Sequence, residues 1–449
     1  NMSILDKKYI HFIGIGGIGT SSLAQILHEK GKKITGSDNC ASEITKSLKL
    51  EGIKIYGNHD QSNITKKHEL VVYSPAIPAN NPELQKAQQL KIPCLSYPQA
   101  LGELTKKYYT IAITGTHGKS TTTAMTALTA IKGHLNPTVV IGTKLKEFKN
   151  KNYRVGESNY LIIEACEYKR SFLNFHPNIL IITNIETEHL DYYKNLKDYQ
   201  KAFNELAIKV PKNGYIIVND DDKNVKPVLK GAKAKIITWS QHSKNTDFHL
   251  VKNELIYKNG SKIKLFPGVH GEFNIKNAAN AAIAALLLKI SPAIIQKAIR
   301  TYKGSWRRMQ YKTKKLGKVK FIDDYGHHPT EIRVTLAAIR EKYPDAKILC
   351  VFQPHQYSRT RLLLKEFGYA FNNVDMVVIP NIYRVRDTEK DVKSVSVDDL
   401  IKEIKKHQTH AQNGTNLKKT AQYIKKNHEK FDIIVTMGAG DIEKIYKLF

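Results

Sequence analysis

The sequence predicts an α/β fold made of three consecutive domains, and three observations support this prediction. The 449 residues exceed what one domain usually holds, at ~100–200 residues per domain. Short apolar strands alternate with helical patterns along the chain, which favours parallel sheets. Strand after strand ends in glycine or polar residues, where such sheets place ligands. We place the domains at residues 1–105, 106–304 and 305–449.

Composition excludes several classes of protein. Lys and Arg total 71 against 41 Asp and Glu, a formal net charge of +30. The lysines are spread through nearly every segment without a basic stripe interleaved with aromatic residues, so we expect no specific nucleic-acid partner. No apolar run approaches the ~18 residues of a membrane span, so we expect no membrane insertion. The four cysteines lack paired spacing, and we therefore expect neither disulfides nor zinc, and a cytoplasmic location.

The first domain opens with a Rossmann-like strand, glycine turn and helix. An apolar strand at residues 9–13 precedes the turn, and a second strand ends at Asp38, about 20 residues on. A third strand breaks into a proline turn at Ser74. This pattern is a weak signal for a particular ligand, because any diphosphate can bind at such a helix N-terminus. NAD and a sugar nucleotide both remain open. The glycines of the turn are Gly14, Gly16, Gly17 and Gly19.

The second domain opens with a phosphate loop between an apolar strand and a hydroxyl-rich helix. The general loop pattern requires glycine where this chain has Ile113, so only the compact form of the motif fits. Lys119 supplies a positive charge and Ser120 a hydroxyl ligand for Mg²⁺ at the helix N-terminus. The loop therefore predicts binding of ATP and Mg²⁺. Its residues are Gly115, Thr116, His117, Gly118, Lys119, Ser120 and Thr121.

Two further strands of this domain deliver polar groups to the same sheet edge. The buried strand 159–164 ends at Glu164, and the strand 178–184 leads to His189. Because parallel strands end at one edge, both side chains can meet the Mg²⁺ of the loop. His189 could equally be structural, since Mg²⁺ prefers oxygen ligands.

An alanine-rich helix near residues 274–282 carries two asparagines close to its start, Asn274 and Asn277. Their amide groups could bind the edge of an adenine base. We expect this helix to contribute to nucleotide binding.

The third domain repeats the arrangement of strands that end in polar residues. The strand at residues 319–324 ends in Asp324 and leads into a histidine pair, His327 and His328. Adjacent histidines lack the helical spacing of a zinc site, and we interpret them as substrate contacts or structure. Arg308 and Arg359 would be surface charges in most proteins, but here they border strand ends where anions are expected.

Together these motifs resemble the Mur ligases over essentially the full length of the chain. The resemblance implies an ATP-dependent amide-bond ligase of peptidoglycan precursor synthesis. Such an enzyme joins L-alanine to UDP-N-acetylmuramate through an acyl phosphate. The motifs, in family order, are GTHGKSTTT, EACE at 164–167, NIETEHLD at 184–191, WRR at 306–308, DYGHHPTE at 324–331, PHQYSRT at 354–360 and MGAGD at 437–441.

The resemblance also implies which residues act. The glycine turn would bind UDP, with Asp38 and Ser74 near the nucleotide, so the first domain would not bind NAD. We expect the catalytic residues to be Lys119, Glu164, His189 and Arg308. The assignments to ATP and its metals are Lys119 for the phosphates, Ser120 and Glu164 for one Mg²⁺, His189 for a second metal, Asn274 and Asn277 for adenine, and Arg308 and Asp324 for phosphate and ribose. The assignments to the amino-acid substrate are His327, His355 and Arg359, with Tyr325 among the substrate contacts.

Three residues depart from the family pattern. Ser120 replaces a common threonine but keeps the hydroxyl. Cys166 stands where aspartate is frequent, and Phe273 stands where histidine is usual. Two alternatives stay open: a ligase that recycles murein tripeptide, and a catalytically weakened nucleotide-binding partner. The sequence does not decide between a monomer and a homodimer.

Overall fold

A computed structural model describes residues 4–313, 316–407 and 410–449. These residues form three sheets, and the predicted α/β class is confirmed. The chain divides into two compact units. The first comprises Asn1–Leu265 and Asn277–Ile299, and the second comprises Phe266–Lys276 and Arg300–Phe449. The domain boundaries drawn after residues 105 and 304 remain predictions.

The first sheet has five parallel strands in the order β3-β2-β1-β4-β5. The chain order reverses between β1 and β4, and such a switch point is where open α/β sheets bind ligands. The strands are β1 Tyr9–Ile13, β2 Lys33–Ser37, β3 Lys54–Tyr56, β4 Leu70–Tyr73 and β5 Cys94–Ser96. The helices are α1 Ile18–Glu29, α2 Glu43–Leu50, α3 Pro82–Gln89 and α4 Tyr97–Thr105.

A cluster of polar side chains is buried on one face of the first sheet. Ser37 donates a hydrogen bond to the Glu83 carboxylate at 2.5 Å, and Asn63 donates another at 2.6 Å. His11 Nε2 lies 3.5 Å from the same carboxylate. Burial raises the pKa of Glu83, but His11 and Ser37 together lower it below its ordinary value. These partners keep the buried carboxylate ionised.

The second sheet has ten strands in the order β15-β14-β13-β12-β11-β10-β6-β9-β7-β8. Its pairs are parallel from β7 to β13, while β8, β14 and β15 pair antiparallel. The strands are β6 Tyr109–Thr114, β7 Thr138–Leu145, β8 Lys151–Arg154, β9 Tyr160–Glu164, β10 Ile179–Ile182, β11 Tyr215–Asn219, β12 Lys235–Ser240, β13 Phe248–Val251, β14 Glu254–Tyr257 and β15 Lys262–Lys264. The next helices are α5 Lys119–Lys132 and α6 Leu196–Ile208.

Helix α5, which follows the phosphate loop, is buried along most of its length. Its threonines would leave unsatisfied hydroxyls there unless they found local acceptors. Thr123, Thr126 and Thr129 each donate to the backbone carbonyl four residues earlier, at 2.7–2.8 Å. Because threonine is a weak helix former, packing against the sheet must stabilise this helix.

The third sheet has six strands in the order β16-β17-β21-β18-β19-β20. All its pairs are parallel except β16 with β17. The strands are β16 Gln310–Lys312, β17 Lys320–Asp324, β18 Ile348–Phe352, β19 Met376–Ile379, β20 Ala411–Asn413 and β21 Ile433–Met437. The remaining helices are α7 Glu272–Leu287, α8 Pro292–Thr301, α9 Pro329–Lys342, α10 Tyr357–Leu362, α11 Leu364–Tyr369, α12 Glu389–Val392, α13 Val397–Lys405 and α14 Leu417–Asn427.

Short 3₁₀ helices complete the described secondary structure. They lie at Ile4–Asp6, Gln61–Asn63, Lys146–Phe148, Tyr168–Asn174, Lys226–Leu229, His428–Lys430 and Ile442–Lys447. Within the described ranges, no helix combines the length and the hydropathy needed to cross a bilayer.

Candidate active site

The glycine turn lies at the switch point of the first sheet. The backbone N–H groups of Gly14 and Ile15 donate to the carbonyl of Ser37 at 2.9 and 3.1 Å. Gly16 N–H donates to one oxygen of Asp38 at 2.8 Å, and the other oxygen accepts from Cys40 N–H at 2.9 Å. The structure therefore brings Asp38 to the turn, where both its oxygens organise backbone. Contact of Asp38 with a nucleotide stays a prediction.

The other predicted residues of the first domain surround this turn. Gly17 is the N-cap of α1, and Gly19 lies in the first turn of that helix. Ser74 directly follows β4, and a Cβ atom at Gly14 would lie 3.0 Å from the Cβ of Ser74. The structure thus gathers these residues at the N-terminus of a 12-residue helix, where anions are favoured.

The phosphate loop depends on two glycines with positive φ. Gly115 has a φ of 131°, and a Cβ atom there would lie 2.0 Å from the hydroxyl of Thr183. Gly118 has a φ of 81°, and its Cβ would lie 2.3 Å from the side-chain oxygen of Asn277. Only glycine fits these close approaches without displacing a neighbour.

The segment after β10 anchors the loop. Thr116 N–H donates to the Asn184 carbonyl at 3.0 Å, and His117 N–H donates to the Asn184 side chain at 2.9 Å. His117 Nε2 lies 3.0 Å from a carboxylate oxygen of Glu186. Sequence reasoning placed this segment at the correct edge but did not select Asn184 or Glu186. The sequence feature that could have identified these two residues is their position directly after a buried strand.

Lys119 folds back over the loop. Its ammonium donates to the carbonyls of Gly115 and Thr116 at 2.6 and 2.9 Å, and it lies 3.1 Å from the Glu167 carboxylate. Burial lowers the pKa of Lys119, but the neighbouring acidic groups, with Glu167 first, together outweigh this effect, and the pKa is raised on balance. The ammonium therefore remains charged at neutral pH.

Glu167 joins Lys119 to His189. Its side chain is 1% exposed, and one oxygen lies 3.2 Å from His189 Nε2. Burial raises the pKa of Glu167, while Lys119 and His189 lower it below its ordinary value on balance. His189 has a φ of 55°, and its ring centroid lies 4.8 Å from that of Tyr168. The sequence predicted a metal role for His189, whereas the contact seen is with Glu167, which was not among the predicted site residues.

Ser120 and Glu164 provide the oxygen groups predicted for Mg²⁺. Ser120 donates to one oxygen of Glu164 at 3.0 Å, and Gly142 N–H donates to the other at 2.7 Å. A hydroxyl and a carboxylate are the hard ligands that Mg²⁺ prefers, so these residues fit the ion. Cys166 is exposed at the surface, yet the surrounding protein and the charge of Glu167 raise the pKa of its thiol to about 12. The thiol is therefore neutral and does not replace the charge of an aspartate.

In the second unit, Asp324 is buried at the end of β17. Its oxygens accept from the backbone N–H groups of Gly326 and Met309, both at 2.8 Å. Burial raises the pKa of this carboxyl group, although Arg308 opposes the shift. Arg307 is 2% exposed and donates to the carbonyls of Gly438 and Gly440. These bonds hold the segment that carries Arg308.

The predicted substrate contacts of the third domain form one cluster. Arg308 lies over the ring of Tyr325 at 5.5 Å, and the rings of Tyr325 and His327 are 5.8 Å apart. His327 and His355 are separated by 6.0 Å between ring centroids. Arg359 Nη1 lies 3.2 Å from His355 Nδ1. Tyr325 and His327 follow the C-terminal end of β17, His355 and Arg359 follow that of β18, and Arg308 precedes β16. Their contacts with substrates stay predictions.

Two other residues of this unit have clear local roles. His328 is the N-cap of α9 and accepts from Thr330 N–H, which is the structural alternative named for the histidine pair. Tyr383 stacks on His355 at 5.6 Å and was not predicted. Little in the sequence favoured the selection of Tyr383, because a single tyrosine after β19 resembles many surface tyrosines.

The two asparagines predicted for adenine have different surroundings. Asn277 accepts from the Thr122 hydroxyl at 3.3 Å, next to the phosphate loop. Asn274 donates to the carbonyl of His270 at 2.6 Å within the second unit. Phe273 packs against the apolar core of that unit, which accounts for a phenyl ring at this position. Adenine contact stays a prediction for both asparagines.

Three features together indicate a multidomain nucleotide-dependent ligase. They are the glycine turn of the first sheet, the phosphate loop of the second, and the cluster of arginine and histidine side chains of the third. Three family models match the chain in order. They are "Mur ligase family, catalytic domain" at residues 9–109, "Mur ligase middle domain" at 113–285, and "Mur ligase, glutamate ligase domain" at 307–440. The chain belongs to the Mur ligase family.

Relatives and solved structures agree with this assignment. The UDP-N-acetylmuramate--L-alanine ligase of Acetivibrio thermocellus is 41% identical over 466 residues, covering 100% of this chain and 97% of the relative. The crystal structure of the UDP-N-acetylmuramate-alanine ligase of Thermotoga maritima matches with a TM-score of 0.78 and 27% identity, covering 98% of this chain and 97% of that chain. A murein peptide ligase of Psychrobacter arcticus has a TM-score of 0.74 at 22% identity, with 98% and 97% covered, and shares the fold.

Proposed function

We propose that this protein is an ATP-dependent ligase that joins L-alanine to the carboxylate of UDP-N-acetylmuramate in peptidoglycan precursor synthesis, releasing ADP and phosphate. The observation that carries this proposal is 41% identity, over the whole chain, to a relative with that name. The ion pair of Lys119 and Glu167 beside the phosphate loop supports ATP binding there.

The first half of the reaction makes the carboxylate reactive. A carboxylate oxygen of the sugar nucleotide attacks the γ-phosphorus of ATP, the bond to the β-phosphate oxygen breaks, and ADP leaves. The Lys119 ammonium stabilises the charge that develops on the transferred group. The backbone N–H groups at the start of α5 would add to this stabilisation, because a helix N-terminus favours anions.

Ser120 and Glu164 would hold Mg²⁺ in this reaction. The bound ion would neutralise charge on the ATP phosphates, as a hard cation does. Glu167 keeps Lys119 and His189 in place through the contacts at 3.1 and 3.2 Å. The protein contributes mainly position and charge, because phosphoryl transfer needs little covalent participation.

The second half forms the amide bond. The neutral amine of L-alanine attacks the acyl carbon of the acyl phosphate, phosphate leaves, and the amine loses a proton. Arg359 can pair with the alanine carboxylate through its planar guanidinium. His327 and His355 lie in the same cluster and would fix the amino-acid substrate. The glycine turn and Asp38 would bind the UDP group.

The decisive experiment measures phosphate release from ATP in the presence of UDP-N-acetylmuramate and Mg²⁺. L-Alanine, glycine, L-serine and murein tripeptide are supplied in parallel. We expect release with L-alanine to exceed release with the tripeptide. Preference for the tripeptide would identify a recycling ligase instead, and release that no amino acid or peptide stimulates would contradict a ligase.

The matched variant is Lys119→Ala. We expect it to abolish turnover while UDP-N-acetylmuramate still binds with nearly unchanged affinity, because the lysine acts on ATP and not on UDP. Calorimetric titration of the sugar nucleotide checks the second half of this expectation. If the variant lost turnover and sugar-nucleotide binding to the same extent, the proposed action of Lys119 on ATP alone would be wrong.

A further inference from the structure

The loop after β19, residues 380–387, is bound to the chain that follows β18. Tyr383 N–H donates to the carbonyl of Pro354 at 2.8 Å, and the Tyr383 carbonyl accepts from Gln356 N–H at 2.9 Å. The Tyr383 ring also stacks on the ring of His355, with centroids 5.6 Å apart. The loop therefore holds this segment through both backbone and side-chain contacts.

Gln356 lies between the predicted substrate contacts His355 and Arg359 and has an unusual backbone conformation. Its φ is 75° and its ψ is 132°, a combination that residues other than glycine rarely adopt. Gln356 is buried, and its amide donates to the Val385 carbonyl at 3.4 Å. Thr360 donates to the Gln356 carbonyl through its N–H at 3.1 Å and its hydroxyl at 2.7 Å. Such a conformation persists only where its surroundings fix it, and the loop supplies part of these contacts.

Asp387 is the charged side chain by which the loop holds α10. Its carboxylate accepts from the N–H groups of Tyr357 and Ser358 at 3.1 and 3.0 Å, and from the Ser358 hydroxyl at 3.0 Å. Tyr357 is the first residue of α10. The carboxylate thus satisfies donors that a helix N-terminus leaves without an intrahelical partner, where a negative charge is also favourable.

Arg359 lies in the helical turn that Asp387 holds. Its Nη1 donates to the His355 carbonyl at 3.1 Å and lies 3.2 Å from His355 Nδ1. Because α10 has only six residues, it cannot be stable by itself, and its orientation depends on contacts with its neighbours. The direction of the Arg359 side chain therefore depends on the carboxylate of Asp387.

We propose that Asp387 is a positioning residue for the amino-acid substrate: by fixing the first turn of α10, it directs the Arg359 guanidinium towards the carboxylate of L-alanine. This inference rests on the proposed function. Asp387 acts through Arg359 and does not itself contact a substrate. Binding of ATP and of UDP-N-acetylmuramate should therefore not depend on it.

The test compares Asp387→Asn with wild type. Asparagine keeps the size of the side chain but replaces one accepting oxygen with an NH₂ group, which cannot accept from the start of α10. KM for L-alanine should rise about ten-fold, with KM for ATP and for UDP-N-acetylmuramate unchanged. Asp399→Asn is the matched control, because Asp399 accepts from the N–H and hydroxyl of Ser396 at 2.8 and 2.7 Å, at the start of α13. All three KM values should stay unchanged in the control.

A double-variant cycle with Arg359→Lys separates positioning from a structural role. Lysine retains the positive charge, so activity should stay measurable. If Asp387 acts through Arg359, the two substitutions together should raise KM for L-alanine by much less than the product of their separate effects. Fully multiplicative effects, a rise in KM shared by all three substrates, or an unchanged KM for L-alanine in Asp387→Asn would overturn the proposal.

Wild type is measured in parallel. If it shows no phosphate release that depends on L-alanine, the proposed function fails, and this inference fails with it. If wild type responds to L-alanine and Asp387→Asn does so with the same KM, only the role of Asp387 is wrong.

Discussion

At the scale of single residues, Glu167 organises the candidate active site. It is buried, ionised and shared between the ammonium of Lys119 and the imidazole of His189. A buried charge of this kind is costly unless it is paired, and here two partners stabilise it. Removal of its charge should therefore affect both partners together.

We predict that Glu167→Gln lowers kcat/KM for ATP by about a hundred-fold, because Lys119 and His189 lose the charge that positions them. The phosphate-release assay measures the change, and circular dichroism checks that the variant folds. Glu157→Gln is the control, since Glu157 is exposed and lies on the loop before β9. Activity of the Glu167 variant within two-fold of wild type would refute a positioning role.

We also predict that Gly115→Ala destabilises the protein by about 2–4 kcal/mol and prevents ATP binding. The new methyl group would overlap the hydroxyl of Thr183, at a φ that L residues rarely adopt. Urea unfolding and nucleotide titration measure the two effects. Gly57→Ala should be nearly neutral, because a Cβ atom added there would meet no other atom within 4 Å. A Gly115→Ala variant that is stable and binds ATP would contradict the close approach of this position to the Thr183 hydroxyl.

At the scale of elements, the buried polar cluster on the first sheet makes the stability of the fold depend on pH. His68 contacts the Thr35 hydroxyl at 3.2 Å, and its ring centroid lies 5.3 Å from that of His11. Burial, and then the charge of His11, lower the pKa of His68 from its ordinary value of 6.5, although Glu83 opposes the shift. The folded state therefore binds fewer protons here than the unfolded state.

The contribution of His68 to the free energy of unfolding is therefore fully present above pH 6.5, and it is lost as the pH falls below that value. We predict that wild type loses more unfolding free energy between pH 7.5 and pH 5.5 than His68→Gln does. Urea unfolding at both pH values provides the comparison, and the lowered pKa of Glu83 places its own titration at lower pH. An identical pH dependence in the two proteins would exclude His68 as a contributor.

Local patterns were sufficient to predict the strands, the phosphate loop and Glu164, because each depends on residues that are close in sequence. The glycine turn was predicted for the same reason, whereas the roles of the third-domain residues came only from the resemblance to the Mur ligases. Glu167 and Tyr383 were missed because tertiary contacts define their positions in the candidate site. Glu167 meets a lysine 48 residues away, for example, and no local periodicity reports such a contact.

At the scale of the whole molecule, the net charge of +30 attracts polyanions without specifying one. We predict that nonspecific duplex DNA binds measurably at about 50 mM salt and negligibly at about 200 mM, because counterion release dominates such binding. Fluorescence anisotropy measures it, and heparin should behave similarly as a polyanion without bases. Tight binding at the higher salt with a sequence preference would indicate a real nucleic-acid partner.

The contact between the phosphate loop and Asn277 has a consequence for protein synthesis. Thr122 donates to Asn277, which is 155 residues further along the chain, and β6 lies between two strands that are both made after it. The ribosome therefore releases Thr122 on the order of ten seconds before Asn277 emerges. The hydrogen bond between Thr122 and Asn277 can form only at the end of this interval, so the early chain must avoid misfolding without it.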